Sequence, residues 1–591
     1  MKKNIRFVAS VLALFLFQTG FTQTPDGYKS WNPARDSLSV LEGQAWPHEG
    51  KSFYDRLPAK AEPSVRHAVW ELSRNSAGLK LRFITDADEI IVKYKVTGSL
   101  QMPHMPATGV SGVDLYIKTI DGKWLWGAGK YSFGDTIVYR FKDLIANDQH
   151  VSNREYSLYL PLYNSVSWME ITVPEKSLFK PLPARRDKPV LIYGTSIAQG
   201  GCASRPGLAW TALLERKLDR PLINLSFSGN GRLDQEVLDL IAEVDAKIYV
   251  LDCLPNMVAP AFTTAELKKR VVHAIQLLQT KRPGIPILLT DHAGYTNEAS
   301  STVRQKQYQN ANTALHEVFD SLVSTGYKNI YRLTKEEIGL DIESTVDGIH
   351  PNDIGMMQYA VAYAKKIGSI LNEPAGSIST TIPITQRRDA ATYDWETRHN
   401  EVLAFNQDHS PALIFIGNSI THYWGGLPLA QRIWGAGSWK KYFEPRNAEN
   451  LGYGWDRIEN VLWRIYHGEL DGIHPKQIVM MIGTNNLELN SDKEIIEGLR
   501  FLMQAIQEKQ PASQILLLGI LPRRNMEKRV SALNTQIAAI KFNAKVHYAD
   551  AGRLFLKPDK KIDESLFSDG LHPNEAGYER FGKFIVSHLT P

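Results

Sequence analysis

The sequence predicts a multidomain fold, an N-terminal all-β sandwich followed by two α/β domains, and three observations predict it. The 591 residues are too many for one domain at roughly 100 to 200 residues each. Hydrophobicity alternates with period two as far as Pro181 and then switches to short apolar runs separated by helix-length amphipathic segments. This second rhythm halts in a polar stretch after Asn372 and restarts beyond it, so one architecture occurs twice, at a period far longer than a solenoid repeat.

Residues 1–22 read as a cleavable secretory leader. Lys2, Lys3 and Arg6 precede an apolar run from Phe7 to Phe17, and the small residues Gly20 and Thr22 stand where a signal peptidase cuts. That run is too short to span a bilayer, and no later stretch approaches about 18 uninterrupted apolar residues. With no cysteine near the cleavage site to carry a lipid, no membrane anchor is expected, and the destination is the periplasm or the exterior.

Residues 23–181 form the expected sandwich. Leu79–Ile84, Ile90–Val96, Val113–Ile117, Tyr156–Leu162 and Val166–Val173 alternate in polarity and are bounded by Gly, Pro, Asn or Asp. Trp46, Phe53, Tyr54, Trp70, Trp124, Trp126 and Tyr163 are expected mostly to fill its core; the alternative is a surface on which sugar rings stack. Pro181 to Pro189 reads as a linker, its prolines interrupting strand pairing and its charges solvated.

Residues 189–372 carry strands at Val190–Tyr193, Ile248–Asp252 and Ile285–Thr290, and helices at Ala209–Leu218 and Ala265–Thr280. Residues 373–392, rich in Pro, Gly, Ser and Thr, read as a second linker. In 393–591 the strands are Ala412–Ile416, Gln477–Ile482 and Gln514–Gly519, with helices near Trp455–Tyr466, Lys493–Glu508 and Lys528–Ile540. Alternation of this kind predicts parallel sheets covered on both faces.

Composition narrows the function classes. Lys plus Arg is 68 and Asp plus Glu is 63, a net charge of +5 that falls to +2 without the three basic residues of the leader. No concentrated basic excess marks a nucleic-acid binder. An apolar content of 43% with 22% charge excludes general disorder. Two cysteines, Cys202 and Cys253, can make at most one bridge. In an oxidising compartment they could join two loops; the other reading is a pair of small core residues.

The α/β units share a pattern that bears on chemistry. Gly194-Thr-Ser196-Ile and Gly417-Asn-Ser419-Ile each follow a strand directly, where open α/β sheets place ligands. Near the end of each unit stands an Asp-Gly-x-His-Pro run, Asp347 to His350 and Asp569 to His572. A serine hydroxyl needs a base to take its proton, imidazole suits that work, and a carboxylate fixes the ring's tautomer. The serine-to-histidine separations are 154 and 153 residues, a coincidence that helix caps and surface histidines do not produce. An acyl-transfer site also needs donors for a developing oxyanion, and Gly229, Asn256 and Asn485 stand between serine and histidine. Asp471-Gly-Ile-His474 imitates the histidine motif but precedes Gly483-Thr-Asn-Asn486, and reads as a loop entering that strand. No Gly-x-Ser-x-Gly elbow, His-Glu-x-x-His motif or phosphate loop occurs, so neither cofactor nor metal is implied.

These blocks resemble the SGNH hydrolases, also called GDSL esterases. The resemblance implies a flavodoxin-like three-layer fold for each α/β domain, with a serine nucleophile, a histidine base, an aspartate three residues before it, and oxyanion donors from Ser N–H, Gly N–H and an Asn side chain. In the first domain these are Ser196, Gly229, Asn256, Asp347 and His350, and the chain there resembles secreted bacterial esterases with a β-sandwich in front. The second domain is similar to platelet-activating-factor acetylhydrolase catalytic subunits through Phe415–Ile420, Glu459–Arg464, Gly483–Asn486 and Asp569–Pro573, which carries over Ser419, Asn485, Asp569 and His572. Where that family has Gly-Gly-Asp this chain has Gly454-Trp455-Asp456; the Trp455 N–H can serve as the donor, with the indole expected to crowd the acyl pocket. Together with the leader and the aromatic residues, the resemblance points to removal of small acyl groups, acetyl above all, from polysaccharides or oligosaccharides. The alternatives are a lipid or phospholipid acylhydrolase, and a glycan-binding protein in which one SGNH domain is a degenerate scaffold.

Overall fold

The computed structural model describes residues 26–144 and 154–589; the leader lies outside them. The N-terminal unit has two antiparallel sheets. One orders its strands Tyr28–Trp31, Val166–Pro174, Ile90–Val96, Ile137–Phe141 and Lys130–Ser132; the other runs Phe179–Pro181, Lys80–Thr85, Glu155–Tyr159, Asp114–Lys118 and Trp124–Gly127, with Leu41–Glu42 added on Lys80–Thr85. Leu81 and Phe83 from one sheet and Val92 and Ile171 from the other meet in one core, as period-two patterning requires.

Two expectations for this unit change. Tyr54 is in the shared core, with Phe53 packed against it, but Trp46 and Trp70 belong to the core of the first α/β unit. The segment between Leu41–Glu42 and Lys80–Thr85 leaves the sheets and covers a face of that unit, where Arg56 donates to the carbonyls of Asn224 and Ser226. Trp126 is 51% exposed. The charges of the 181–189 segment are also not all solvated: Arg186 and Lys188 are exposed, but the Arg185 side chain is buried, with ion pairs to Glu42, Glu215 and Asp219. A guanidinium meeting three carboxylates on two different units is bound more firmly there than its polar neighbourhood suggests.

The first α/β unit has five parallel strands, β1 (Val190–Gly194), β2 (Leu222–Ser226), β3 (Ile248–Asp252), β4 (Ile287–Thr290) and β5 (Ile330–Leu333), ordered β2-β1-β3-β4-β5. This is the flavodoxin-like order. Successive residues of β1 serve opposite faces: Leu191 and Tyr193 join one core, Val190 and Ile192 the other. After β1 come α1 (Ser196–Gln199) and α2 (Trp210–Leu218); α3 (Gln235–Ile241), α4 (Thr264–Lys281), α5 (Thr302–Ser324) and α6 (Asp353–Ile370) follow. α3, α4 and α5 cover the first face, and α2 and α6 cover the second.

The second α/β unit repeats this order with β6 (Leu413–Gly417), β7 (Ala448–Gly452), β8 (Gln477–Met481), β9 (Gln514–Leu518) and β10 (Val546–Ala549), arranged β7-β6-β8-β9-β10. Its helices are α7 (Trp395–Asp408), α8 (Ser419–His422), α9 (Ala436–Tyr442), α10 (Ile458–Arg464), α11 (Asp492–Lys509), α12 (Glu527–Ala538) and α13 (Glu575–Val586). The helix expected from Trp455 begins only at Ile458, because Trp455 takes a left-handed backbone with φ 64° that no right-handed helix admits.

The 373–392 segment does not merely separate the two units. Arg387 pairs with Glu155, Asp394 and Glu396, and Arg388 pairs with Asp121 and donates to Asn460. Both arginines therefore tie the N-terminal sheets to the second α/β unit. Among the described residues no helix is long and apolar enough to cross a membrane.

Candidate active sites

Both serines stand on the first residue of a short helix at the C-terminal end of the strand that leads its sheet. Thr195 caps α1 by accepting the Ile197 N–H, and Asn418 caps α8 by accepting the Ile420 N–H. The serine N–H is thus among the unpaired donors at a helix start. Ser196 Oγ lies 2.9 Å from His350 Nε2, and His350 Nδ1 lies 2.7 Å from Asp347 Oδ2. In the second unit Ser419 Oγ is 2.8 Å from His572 Nε2, and His572 Nδ1 is 2.7 Å from Asp569 Oδ2.

The aspartates are held by their own turns. Asp347 Oδ1 accepts the N–H groups of Ile349 and His350, and Asp569 Oδ1 accepts those of Leu571 and His572. Burial pushes both carboxyls up, but these N–H groups and the histidine ring outweigh it and hold both below the usual aspartate range. Each therefore stays ionised and available to a charged imidazole. The turn demands left-handed backbone at Gly348 (φ 92°) and Gly570 (φ 85°), which glycine adopts without penalty.

The oxyanion candidates fall in matching places. β1 pairs Gly194 with Ser226 and Asp252; β6 pairs Gly417 with Gly452 and Met481. Counting on from these registers puts Trp455 at the position of Gly229 and Asn485 at that of Asn256. Gly229 has φ 68° and Trp455 φ 64°, so both turn the same way. Asn256 Oδ1 accepts the Gly231 N–H, which leaves its Nδ2 as the donor end. Asn485 Nδ2 gives one hydrogen to the Asp456 carbonyl and retains a second. Trp455 is 48% exposed.

Several neighbours escape a reading of the sequence. Tyr163 of the N-terminal unit donates to the Ser196 carbonyl at 3.0 Å, and the His104 ring lies 5.8 Å from that of His350. In the second site Trp434 and Tyr423 flank His572 at 5.2 and 5.7 Å between ring centroids, and Tyr423 donates to Asp389. Gly112-Val-Asp114-Leu-Tyr116 is a further omission. Asp114 accepts from Arg205, the Gly207 N–H and Trp126, so it anchors the loop that follows Ser196. A carboxylate inside an apolar strand was the available signal.

The remaining features have no chemical role in the sites. Asp471 and His474 lie in the loop at the N-terminal end of β8, whereas Ser419 follows the C-terminal end of the parallel neighbour β6, and Asp471 is paired to Lys247. Cys202 and Cys253 are free and buried. Burial, with Asp347 adding to it, pushes the Cys202 thiol up to about 12, so it stays protonated and unreactive. Among the described residues no group of His, Cys, Asp or Glu could hold a metal ion.

Family models for the GDSL-like lipase/acylhydrolase family match residues 187–368 and 415–580. A third, described as the N-terminus of an SGNH-hydrolase-type esterase, matches residues 28–179. The alpha1 subunit of human platelet-activating factor acetylhydrolase IB is 31% identical over 189 residues, 31% of this chain and 78% of that protein. The chain belongs to the SGNH (GDSL-like) hydrolase family. The cattle alpha2 subunit is 31% identical over 194 residues, 32% of this SGNH hydrolase and 80% of that protein. The crystal structure of a GDSL-like lipase from Bacteroides ovatus superposes with a TM-score of 0.53 at 30% identity, covering 58% of this chain and 98% of that one. The tandem SGNH hydrolase is a carboxylic ester hydrolase.

Proposed function

We propose that the protein is a secreted serine esterase that removes acetyl and similarly small acyl groups from polysaccharides or oligosaccharides, using Ser196 and Ser419 as nucleophiles in two separate sites. The observation that carries this reading is the unbroken Ser–His–Asp hydrogen-bond chain in each unit. Ser196 Oγ attacks the ester carbonyl as His350 Nε2 takes its proton, and Asp347 offsets the charge the ring gains. The oxyanion is met by the N–H groups of Ser196 and Gly229 and by Asn256 Nδ2. His350 then protonates the leaving alcohol, and water attacks the acyl-serine by the same steps reversed. In the second site Ser419, His572, Asp569, Trp455 N–H and Asn485 take these parts.

Support for a small acyl group comes from the acetylhydrolase names of the curated relatives. Support for a sugar comes from the N-terminal unit, read as a β-sandwich, whose exposed Trp126 stacks on Arg205 4.3 Å away in the loop after Ser196. The leader sequence supports export. Acetate release from acetylated xylan, pectin and mannan, set against long-chain phospholipid, tests the reading: faster turnover of the acetylated glycans is expected, and a preference for long acyl chains would overturn it in favour of a lipid acylhydrolase.

A further inference from the structure

A cleft of about 550 Å³ lies where the N-terminal unit, the first α/β unit and the 373–392 segment meet. Its place is remote from catalysis: Leu218 and Arg220 in its wall lead into the N-terminal end of β2, whereas Ser196 stands at the opposite edge of that sheet. Trp124, Leu218, Val361, Leu371, Ile382 and Ile384 supply apolar side chains to its lining. Val361 and Ile382 remain 49% and 42% exposed, so the cleft keeps apolar surface in contact with water. Junctions between units are common sites for small ligands, and roughly 300–1,000 Å³ is their usual size.

The charges around the cleft have one sign to spare. Asp219 is neutralised by Lys118 and Arg185, and Glu373 by Arg220, Lys247 and Lys509. Lys123, Lys217 and Lys365 also line it, and none of the three has an ion-pair partner among the described residues. An apolar wall offers a sugar few partners for its hydroxyls, and leaving those unpaired is costly. A chain with an apolar body and a single anionic end suits both the wall and the rim.

We propose that this cleft binds a straight-chain fatty carboxylate, with its alkyl chain against Val361, Ile382 and Leu371 and its carboxylate at the lysine rim. The full chain carrying Ser196→Ala and Ser419→Ala is titrated calorimetrically with octanoate, decanoate and dodecanoate below their micellar concentrations, and with decanol. One saturable site is expected, tightening by about fourfold per added methylene, with decanol bound more weakly than decanoate. Val361→Trp, which sets an indole against the apolar wall where the alkyl chain is placed, and Lys217→Glu/Lys365→Glu, which reverses the charge of its rim, should each weaken decanoate by about tenfold or more. Fluorophosphonate labelling of these cleft variants with both serines intact shows that they fold. Absence of saturable binding overturns the proposal, as does affinity unchanged from the parent chain in both cleft variants, which would place the ligand elsewhere. Loss in Val361→Trp alone, with decanol bound as well as decanoate, overturns the assignment of a carboxylate.

Discussion

Asp121, in the turn that precedes Trp124–Gly127 of the N-terminal unit, accepts a hydrogen bond from Arg457 Nη1 at 3.1 Å. Arg457 Nε in turn donates to the Asn485 carbonyl at 3.2 Å. The sheets that lean on the first site through Tyr163 therefore also brace the oxyanion candidate of the second. Asp121→Ala, which also frees Arg388, should lower kcat at the second site by about tenfold, the worth of the charge-assisted hydrogen bond to Arg457, with KM little changed. Assays in a Ser196→Ala background isolate that site, and assays in a Ser419→Ala background should show the first site unaffected. Equal rates with and without Asp121 would contradict the brace.

Trp455 holds by itself a backbone conformation that its counterpart Gly229 adopts freely. A non-glycine residue there costs roughly 1–2 kcal/mol, part of which glycine gives back through unfolded-chain entropy. Trp455→Gly should leave the Tm unchanged or slightly raised, and should increase turnover of butyryl relative to acetyl esters at the second site by removing the indole. An unchanged acyl preference would show that Trp455 does not select the acyl group.

How far the sequence foretold this arrangement depends on range. Ile90–Val96 and Ile248–Asp252 have the bounds that period and composition predicted, because strand patterning is local. The serine, aspartate and histidine of each unit were legible because the same order recurs at nearly the same separation. Arg185 was expected to be a solvated linker charge, and the ties made by Arg387 and Arg388 within the second linker were not foreseen, since their partners Glu42, Glu155 and Asp121 lie far off in the chain and nothing in the neighbouring residues announces them. Trp46 and Trp70 were assigned to the wrong core for the same reason: an aromatic residue shows that it is buried, not against what. His104 and Asp389 reach the sites only through tertiary packing.

Arg185 supplies a direct measure of that long-range pairing. Its side chain is 8% exposed and faces Glu42, Glu215 and Asp219. Removing one partner of a buried pair leaves charge uncompensated, at about 3–5 kcal/mol. Arg185→Met should therefore lower the Tm sharply. Lys60→Ala, which removes a surface pair with Glu243, should barely move it. Similar Tm values for the two variants would contradict the buried tie.

Glu449 on β7 makes stability depend on pH. It is buried, and neither carboxyl oxygen has a hydrogen-bond partner. Burial, with Glu469 adding and Arg398 opposing, pushes its pKa up to about 8. A carboxyl raised in the folded state binds its proton more tightly there, so its contribution is fully present below the ordinary carboxylate range, about 4.3, and is lost as pH rises to about 8. Glu449→Gln should flatten the decline in Tm across that window and converge with the wild type in acid. Parallel Tm profiles measured by calorimetry would contradict it.

The central claim is that Ser196 and Ser419 are two independent nucleophiles, and intact-mass measurement after fluorophosphonate treatment tests it most directly. The predicted result is two labels on the wild-type chain, one on each of the single variants Ser196→Ala and Ser419→Ala, and none on the double variant. An unlabelled wild type, a label that persists in the double variant, or loss of both labels in either single variant would contradict it.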